Sequence, residues 1–180
     1  MRIFYAVQFP DFVKQAMADN MREIKKHADR GSFTPRDNFH VTLVFIGECE
    51  PHNLEYYKKA ADLTVNKLKP LSIQANIDGL GSFKRADGDI LWAAMQTEPE
   101  NILSEINNNL IAELRGLNIN IKQEHDKFVP HVTIARKFSG DLSRVNFTPV
   151  NFSINSIVIM ESIFSNGVIY RPLYESKFYK

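Results

Sequence analysis

The sequence predicts an α+β protein whose sheets are largely antiparallel. Amphipathic periods of three to four residues occur between short runs of β-branched and aromatic residues, and the two kinds of segment do not alternate in a strict strand–helix–strand rhythm. The 180 residues, 44% of them hydrophobic and 24% charged, have the size and composition of an ordinary globular domain. We therefore expect one domain with a sizeable core, and two small lobes would also fit this length.

The first part of the chain predicts two strands and two helices. Each strand is a run rich in β-branched and aromatic residues, and each helix shows apolar residues three and four positions apart. Proline and glycine residues mark the ends of these segments. In order, the sequence predicts a strand at 3–9, a helix at 11–29 capped by Asp11, turns at 31–38, a strand at 39–46 and a helix at 51–68.

The second part predicts more strands and one further helix. Glycine-rich segments indicate the connections, among them a hairpin turn at Asp87-Gly88 and another at Ser165-Asn166-Gly167. In order, the sequence predicts a strand at 71–77, a glycine-rich connection at 78–83, a strand at 89–95, a helix at 99–115, a strand at 131–136 and paired strands at 151–160 and 168–178.

Charge and cysteine content exclude several classes of protein. The net charge of +1 gives no general electrostatic attraction to long nucleic acid or to anionic lipid. The only cysteine, Cys49, excludes an internal disulfide and a four-cysteine zinc site, and it suits a reducing compartment. No uninterrupted apolar run approaches the length of a membrane span. We therefore expect a cytoplasmic protein with no membrane association.

Two histidines stand in nearly the same phrase, His40-Val41-Thr42-Leu43 and His131-Val132-Thr133-Ile134. With six threonines in the chain, two such pairs among five histidines arise by chance in roughly 1% of chains. Side chains alternate along a strand, so each phrase presents its histidine and threonine on one face and its aliphatic residues on the other. If the two strands are neighbours, two imidazoles and two hydroxyls line one cleft.

That set of groups suits displacement at phosphorus. An in-line reaction needs a base on the entering oxygen, an acid on the leaving oxygen and donors for the remaining oxygens. Two imidazoles can hold one neutral and one protonated form near neutral pH. Two alternatives stay open at this point: the histidines are hydrogen-bonded structural residues, or His40, His131 and His125 bind zinc. No nucleophilic serine or cysteine motif accompanies them, and Cys49 has no identifiable activating partner.

The paired phrases, together with flanking segments along nearly the whole chain, resemble the 2H phosphoesterase superfamily. The likeness is to the bacterial and archaeal RNA 2',3'-cyclic phosphodiesterases, historically called 2'-5' RNA ligases. The resemblance implies a bilobal fold with pseudo-twofold duplicated antiparallel sheets, flanking helices and a central groove. The flanking segments that match are Arg2-Ile3-Phe4-Tyr5-Ala6-Val7, Phe45-Ile46-Gly47-Glu48, Gly79-Leu80-Gly81-Ser82-Phe83, Leu91-Trp92-Ala93 and Tyr170-Arg171-Pro172-Leu173.

The resemblance also implies metal-independent hydrolysis of a terminal cyclic phosphate to a 2'-phosphate, with reverse 2'-5' joining in some members. By position, His40 corresponds to the acid on the leaving oxygen and His131 to the base on water. Thr42 and Thr133 correspond to the phosphate-binding hydroxyls. No cofactor is implied.

Two basic residues complete the candidate site. Many relatives carry Arg-Pro-Phe shortly before the second motif, where this chain has Asp126-Lys127-Phe128, so Lys127 is a substitute for the basic contact. Arg136 matches the family pattern, but strict alternation places it on the face opposite His131 and Thr133. It reaches the phosphate only if the strand twists or ends there.

Other functions fit the same motif. A phosphodiesterase acting on 2'-5' oligonucleotides or small cyclic nucleotides would need the same groups, because the motif binds phosphate and does not read a base. A protein that binds RNA ends without turnover is a further alternative, although the intact histidines argue against it. Phe4, Tyr5 and Phe83 are candidates for stacking on a terminal base. We expect a monomer whose partner is an RNA end or a nucleotide carrying a cyclic phosphate.

Overall fold

Nine strands and three α-helices make up the part of the chain that the computed structural model describes, residues 1–69, 71–121, 128–165 and 167–179. Two short 3-10 turns, Arg36–Asn38 and Pro51–Asn53, precede the third strand and the second helix. The helices are α1 (Asp11–Lys25), α2 (Leu54–Leu68) and α3 (Ile102–Gly116). The strands are β1 (Arg2–Gln8), β2 (Ala28–Phe33), β3 (His40–Glu48), β4 (Ile73–Phe83), β5 (Asp89–Glu98), β6 (His131–Gly140), β7 (Val150–Ile154), β8 (Ser156–Ser165) and β9 (Gly167–Lys177).

All strands join one antiparallel sheet in the order β7-β4-β5-β6-β3-β1-β8-β9, with β2 paired to β6. At its centre β3 pairs with β6 at Val41 and Val132. This pairing divides the sheet into a half of four strands that contains β3 and a half of five strands that contains β6 and β2. In each half a strand and a helix precede the motif strand: β1 and α1 precede β3, with β2 between α1 and β3, and β5 and α3 precede β6. This arrangement confirms the α+β, bilobal fold with pseudo-twofold duplication.

The main hydrophobic core lies on one face of the sheet, beneath the helices. Strand β1 shows how the sequence directs side chains to the two faces: Ile3, Tyr5 and Val7 belong to the main core, while Phe4 and Ala6 belong to a small cluster on the opposite face. That opposite face also carries the histidines and is called the groove face below. None of the described helices is both long and apolar enough to cross a membrane.

The helix predicted at 11–29 is shorter than expected. It ends at Lys25, because the amides of Lys26 and His27 bond three residues back to Glu23 and Ile24 in a tightened last turn. The chain then forms β2, Ala28–Phe33, which takes the first part of the turn segment predicted at 31–38, while Arg36–Asn38 forms a turn as predicted. This strand is mostly exposed and pairs only at the edge of β6, so its sequence lacks the apolar alternation that signals a strand.

The predicted cap of this helix is also wrong. Asp11 is the first helical residue, Pro10 holds the capping position, and no side chain caps the helix. The Asp11 carboxylate instead pairs with the Arg36 guanidinium at 2.6 Å, which joins α1 to the turn before β3.

The glycine-rich segment 78–83 is part of β4 and is not a connection. Gly81 is needed there because the Trp92 ring lies directly on its backbone, where a Cβ atom would collide with the ring. Gly79 has a φ of +77° at the register shift between β4 and β5, a backbone conformation that favours glycine. The helix predicted at 99–115 begins at Ile102, and the Asp87-Gly88 turn joins β4 to β5. The single strand predicted at 151–160 is wrong, because the chain forms two strands there: β7 pairs with β4, while β8 pairs with β1 and β9. The strand predicted at 168–178 is β9 and pairs with β8, as predicted.

Candidate active site in the central groove

Both motifs lie at the start of the two central strands and face the groove. Val41 and Val132 are fully buried in the core, while the neighbouring histidines and threonines are half-buried. In an antiparallel pair centred on the two valines, His40 stands opposite Thr133, and Thr42 stands opposite His131. The two histidines are then diagonal neighbours, about 7–8 Å apart at the backbone. The structure therefore brings the four predicted motif residues together on one face.

Each histidine ring is oriented by a backbone carbonyl two residues earlier. His40 Nδ1 lies 2.7 Å from the carbonyl oxygen of Asn38, and His131 Nδ1 lies 2.7 Å from that of Val129. A carbonyl oxygen only accepts, so Nδ1 carries a proton in both rings. In both histidines the same backbone contact therefore fixes the tautomer that leaves Nε2 available for proton transfer.

His40 lies in an enclosed part of the groove. The Thr42 hydroxyl lies 3.0 Å from His40 Nε2 and donates to it when the ring is neutral. The ring also packs against Phe4 and against the edge of Tyr170, with centroids 5.0 and 4.9 Å away. Burial lowers the pKa of His40 to about 4, and the nearby charges of His131 and Arg136 contribute to the lowering. Without a ligand, His40 is neutral at pH 7.

This lowered pKa predicts an unusual pH dependence. The value of kcat/KM follows ionisation in the free protein, so its acidic limb should lie near pH 4, well below the ordinary histidine range. The acidic limb lies at the same pH whichever histidine is the acid, because the active form carries one proton on the pair in either case. The measurement is kcat/KM for a nucleoside cyclic phosphate against pH, with circular dichroism at each pH to verify folding. An acidic limb near pH 6.5 would show that His40 is not desolvated.

His131 is flanked by aromatic rings from its own half of the sheet. The Phe83 ring stands edge-on to it at 5.2 Å between centroids, and the Trp92 ring lies at 6.2 Å. Trp92 is the register partner of Thr133, so β5 supports the second motif as β1 supports the first. Two aromatic rings thus flank each histidine.

A β-bulge follows each motif and corrects the expectation for Arg136. Between the partners of Trp92 and Leu91, β6 contains one extra residue, Ile134, so both Ile134 and Ala135 are buried. The extra residue shifts the alternation by one position and returns Arg136 to the groove face. Strict alternation therefore gave the wrong face for this arginine.

The same bulge occurs in the first motif. Between the partners of Ala6 and Tyr5, β3 contains the extra residue Leu43, and Phe45 returns to the groove face. Phe45 and Arg136 are equivalent positions in the duplication. At this equivalent position, β3 places the aromatic ring of Phe45 in the groove and β6 places the positive charge of Arg136 there.

Both bulges are held by groups outside the strand ladder. A bulge leaves a backbone group without its ladder partner, and burial makes such a group costly. In β3 the Leu43 carbonyl accepts from Asn107 Nδ2 of α3 at 2.6 Å. In β6 the Ile134 carbonyl accepts from the Thr34 amide at 2.9 Å, and the Thr34 hydroxyl donates to the Thr133 carbonyl.

We expect Asn107→Ala to destabilise the protein by about 1–3 kcal/mol, because it leaves the buried Leu43 carbonyl unpaired. The same change should reduce turnover, since the bulge directs Phe45 into the groove. Chemical denaturation and kinetics measure the two effects. Asn108→Ala is the matched control: Asn108 is exposed on the same helix, and its replacement should change stability by less than about 0.7 kcal/mol. Equal effects of the two substitutions would contradict this role of Asn107.

A cavity of ≈ 150 Å³ lies against the first motif. It is lined by groove-face side chains of both central strands and by residues from β1, β8, β9 and the segment before β3. Its lining residues are Phe4, Thr34, Asn38, His40, Thr42, Phe45, Thr133, Arg136, Ser162 and Tyr170. A cation, several hydroxyls and an imidazole therefore converge on one small volume.

Other basic side chains near the motifs do not reach this cavity. Lys84 pairs with Asp89 at 2.6 Å, and Lys137 lies 3.5 Å from Asp87. Arg85 lines a separate cavity of ≈ 470 Å³ that shares no lining residue with the first. Among the described residues, Arg136 is thus the one basic side chain lining the cavity that contains His40. Lys127 lies outside the described residues, and its role stays a prediction.

The three aromatic residues proposed for base stacking occupy different environments. Tyr5 is fully buried and donates its hydroxyl to the Tyr57 carbonyl at 2.8 Å, so it cannot contact a base. Phe4 is buried beneath His40 and supports that ring. Phe83 remains beside His131.

Sequence reasoning missed Ser162 and Tyr170 as members of the site. They are paired on β8 and β9, more than 120 residues after His40, and no local pattern connects them to the motif. It also missed Asn38, whose side chain donates to the Val168 carbonyl at 2.6 Å and joins the β8–β9 hairpin to the start of the motif strand.

Within residues 1–69, 71–121, 128–165 and 167–179, no group of three or more histidine, cysteine or carboxylate side chains is placed to hold a metal ion. His125, a member of the alternative zinc site, lies outside these ranges. Cys49 is buried, and burial raises the pKa of its thiol, as expected of an unreactive cysteine.

The duplicated His-x-Thr strands at the centre of a curled antiparallel sheet are the arrangement of the 2H phosphoesterases. A family model, the AKAP7 2'5' RNA ligase-like domain, matches residues 8–144, which include both motifs. The chain belongs to this family.

Comparisons with individual proteins agree with this assignment. The chain is 25% identical to the RNA 2',3'-cyclic phosphodiesterase of Thermotoga maritima, over 99% of this chain and 96% of the relative. Its fold is similar to a crystal structure from Thermus thermophilus, with a TM-score of 0.78 at 22% identity over 99% of this chain and 98% of the other. Escherichia coli LigT complexed with 3'-AMP gives a TM-score of 0.75 at 22% identity, over 99% and 98%.

Proposed function

We propose that this protein hydrolyses the 2',3'-cyclic phosphate ends of RNA or nucleosides to 2'-phosphates, with two histidines as acid and base and without a metal ion. The observation that carries the proposal is the antiparallel pairing of the motif strands, which places two identically oriented imidazoles diagonally across one groove. Several relatives with the name RNA 2',3'-cyclic phosphodiesterase, the Thermotoga maritima protein among them, support the choice of substrate.

The diagonal arrangement suits an in-line displacement. A phosphate placed between the imidazoles has one histidine on each side, as the entering and leaving oxygens require. As the bond from water oxygen to phosphorus forms, one imidazole accepts the proton from water. The bond from phosphorus to the 3' oxygen breaks, and the other imidazole donates a proton to that oxygen. The products are a 2'-phosphate and a free 3'-hydroxyl, so the protons and bonds balance.

The remaining oxygens of the phosphate meet fixed donors. Arg136 and the hydroxyls of Thr42 and Thr133 line the cavity, where reduced contact with water strengthens charge-assisted hydrogen bonds. These groups supply the positive charge and the hydrogen bonds that a divalent ion supplies in other phosphoesterases. Turnover in EDTA equal to turnover in untreated buffer is the expected result.

The position of the cavity favours His40 as the acid and His131 as the base. Both oxygens of the cyclic phosphate belong to the same ribose, so the nucleoside lies on the side of the leaving oxygen. The cavity lies on the side of His40 and Tyr170. The negative charge of the phosphate favours the protonated form of His40 and opposes the effect of burial on its pKa. Once Nε2 carries a proton, it no longer accepts from Thr42, whose hydroxyl can donate to the phosphate.

The test is an assay of the purified protein on nucleoside 2',3'-cyclic phosphates and on RNA with a 2',3'-cyclic end, identifying the isomer formed. A 2'-phosphate in both cases supports the proposal, and a 3'-phosphate contradicts the assigned leaving oxygen. Adding RNA with a 5'-hydroxyl tests reverse joining, which should give a 2'-5' linkage. Cleavage of 2'-5' oligonucleotides with intact cyclic ends would favour that substrate class instead.

A further inference from the structure

We propose that an exposed shelf formed by Phe45, Arg2 and Phe164 stacks the base of the terminal nucleotide. The shelf lies on the groove face, and its Phe45 ring lines the cavity that contains His40. This inference rests on the proposed function, because it assigns the nucleoside of the cyclic phosphate to the side of the groove that contains His40.

The shelf is built from three side chains in contact. The Arg2 guanidinium lies 4.9 Å from the centre of the Phe45 ring and 5.7 Å from that of Phe164. Phe164 is 65% exposed, so one face of its ring is open to a ligand. The flat Arg2 guanidinium therefore lies over both rings in cation–π contact. Such a set presents planar, polarisable groups to solvent.

The shelf is continuous with the cavity. Phe45 belongs to both, since the bulge in β3 directs it into the groove. Ser162 lines the cavity, and Phe164 lies two residues further along β8 with no register shift between them, so the two share a face. A ligand leaving the cavity past Ser162 therefore meets the shelf.

The small size of the cavity supports a base site outside it. Sites that enclose a complete small ligand usually measure about 300–1,000 Å³, and this cavity measures ≈ 150 Å³. A cavity of this volume suits a cyclic ribose phosphate whose base extends beyond it. Stacking on aromatic rings and on arginine planes is the usual way in which proteins hold an unpaired base.

The rings beside His131 are the competing position for the base. Phe83 and Trp92 flank that histidine, but neither lines the cavity. In an in-line reaction the nucleoside occupies the leaving side, while water enters from the other. The cavity and the shelf both place the nucleoside on the side of His40. The attacking water then enters from the side of Phe83.

The experiment compares a nucleoside 2',3'-cyclic phosphate with a base-free ribose 2',3'-cyclic phosphate. For the unmodified protein, the base should raise kcat/KM. Phe164→Ala should reduce this advantage by about tenfold and leave the base-free substrate unaffected, because one of the stacking rings is lost. Phe12→Ala is the matched control, since Phe12 is a 61% exposed phenylalanine at the start of α1 and outside the cavity lining.

Phe83→Ala tests the competing position. If the advantage of the base survives Phe164→Ala and disappears in Phe83→Ala, the base lies beside His131 and the shelf is wrong. The shelf is equally wrong if the base gives no advantage in the unmodified protein.

Calorimetric binding of a nucleoside 2'-phosphate makes the same comparison without turnover. Weaker binding to Phe164→Ala than to Phe12→Ala supports the shelf, and equal binding overturns it. Absence of turnover with every cyclic phosphate would instead overturn the proposed function, so the two failures are distinguishable.

Discussion

Replacing either motif histidine should reduce the turnover of a cyclic phosphate by at least about 10²-fold, the usual contribution of a positioned acid or base. His40→Ala and His131→Ala each remove one of the two proton transfers, while the other ring stays oriented by its own backbone carbonyl. The loss should appear mainly in kcat, because the phosphate-binding groups remain. Steady-state kinetics of the purified variants measures it.

Two controls separate chemistry from folding. His52→Ala removes an exposed histidine from the 3-10 turn before α2 and should leave turnover unchanged. His40→Gln keeps a polar side chain in the enclosed site and should lose as much activity as His40→Ala, with unchanged circular dichroism. Near-normal turnover by any folded variant at position 40 or 131 would rule out the two-histidine mechanism.

Removing the charge of Arg136 should lower kcat/KM by about 10- to 100-fold, because a hydrogen bond from a charged group to phosphate contributes about 1.5–3 kcal/mol. The β6 bulge brings this side chain into the cavity beside Thr133. Arg136→Met should therefore weaken binding of the phosphate. It should also move the acidic limb of the pH profile upward, because the charge of Arg136 contributes to lowering the pKa of His40.

Lys137→Met is the matched control for this prediction. Lys137 is the next residue on the same strand, is exposed, and lies near Asp87 outside the cavity lining. Its replacement should change kcat/KM by less than about twofold, in line with the small contribution of an exposed ion pair. Equal losses from both substitutions would show that Arg136 acts through general electrostatics and does not contact the phosphate.

Much of the fold could be predicted because local patterns of apolar residues determine its main helices and strands. The alternation in the motif strands gave their buried and groove faces, and the three amphipathic periods gave the helices. β2 could not be predicted from its own residues, since its exposed sequence gains its strand conformation from the edge of β6. Segment 78–83 looked like a loop because its glycines reflect contact with Trp92 and a register shift.

The part of the candidate site that could be predicted from the sequence is the part formed by the repeated motif. The two His-x-Thr phrases identified four groove residues, because residue type and strand period together fix their face. Arg136 was placed on the wrong face, since the bulge at Ile134 depends on pairing with β5. Ser162 and Tyr170 join the cavity only through the order of strands in the sheet. The lowered pKa of His40 likewise follows from tertiary burial, which the motif does not encode.

The most direct test of the two-histidine account uses a cyclic phosphate in which sulfur replaces the 3' bridging oxygen. A thiolate leaves without a proton, so this substrate does not need the acid. His40→Ala should hydrolyse it nearly as fast as the unmodified protein does, while His131→Ala should remain inactive because water still requires its base. If neither variant is rescued, the acid and base roles assigned to the two histidines are wrong.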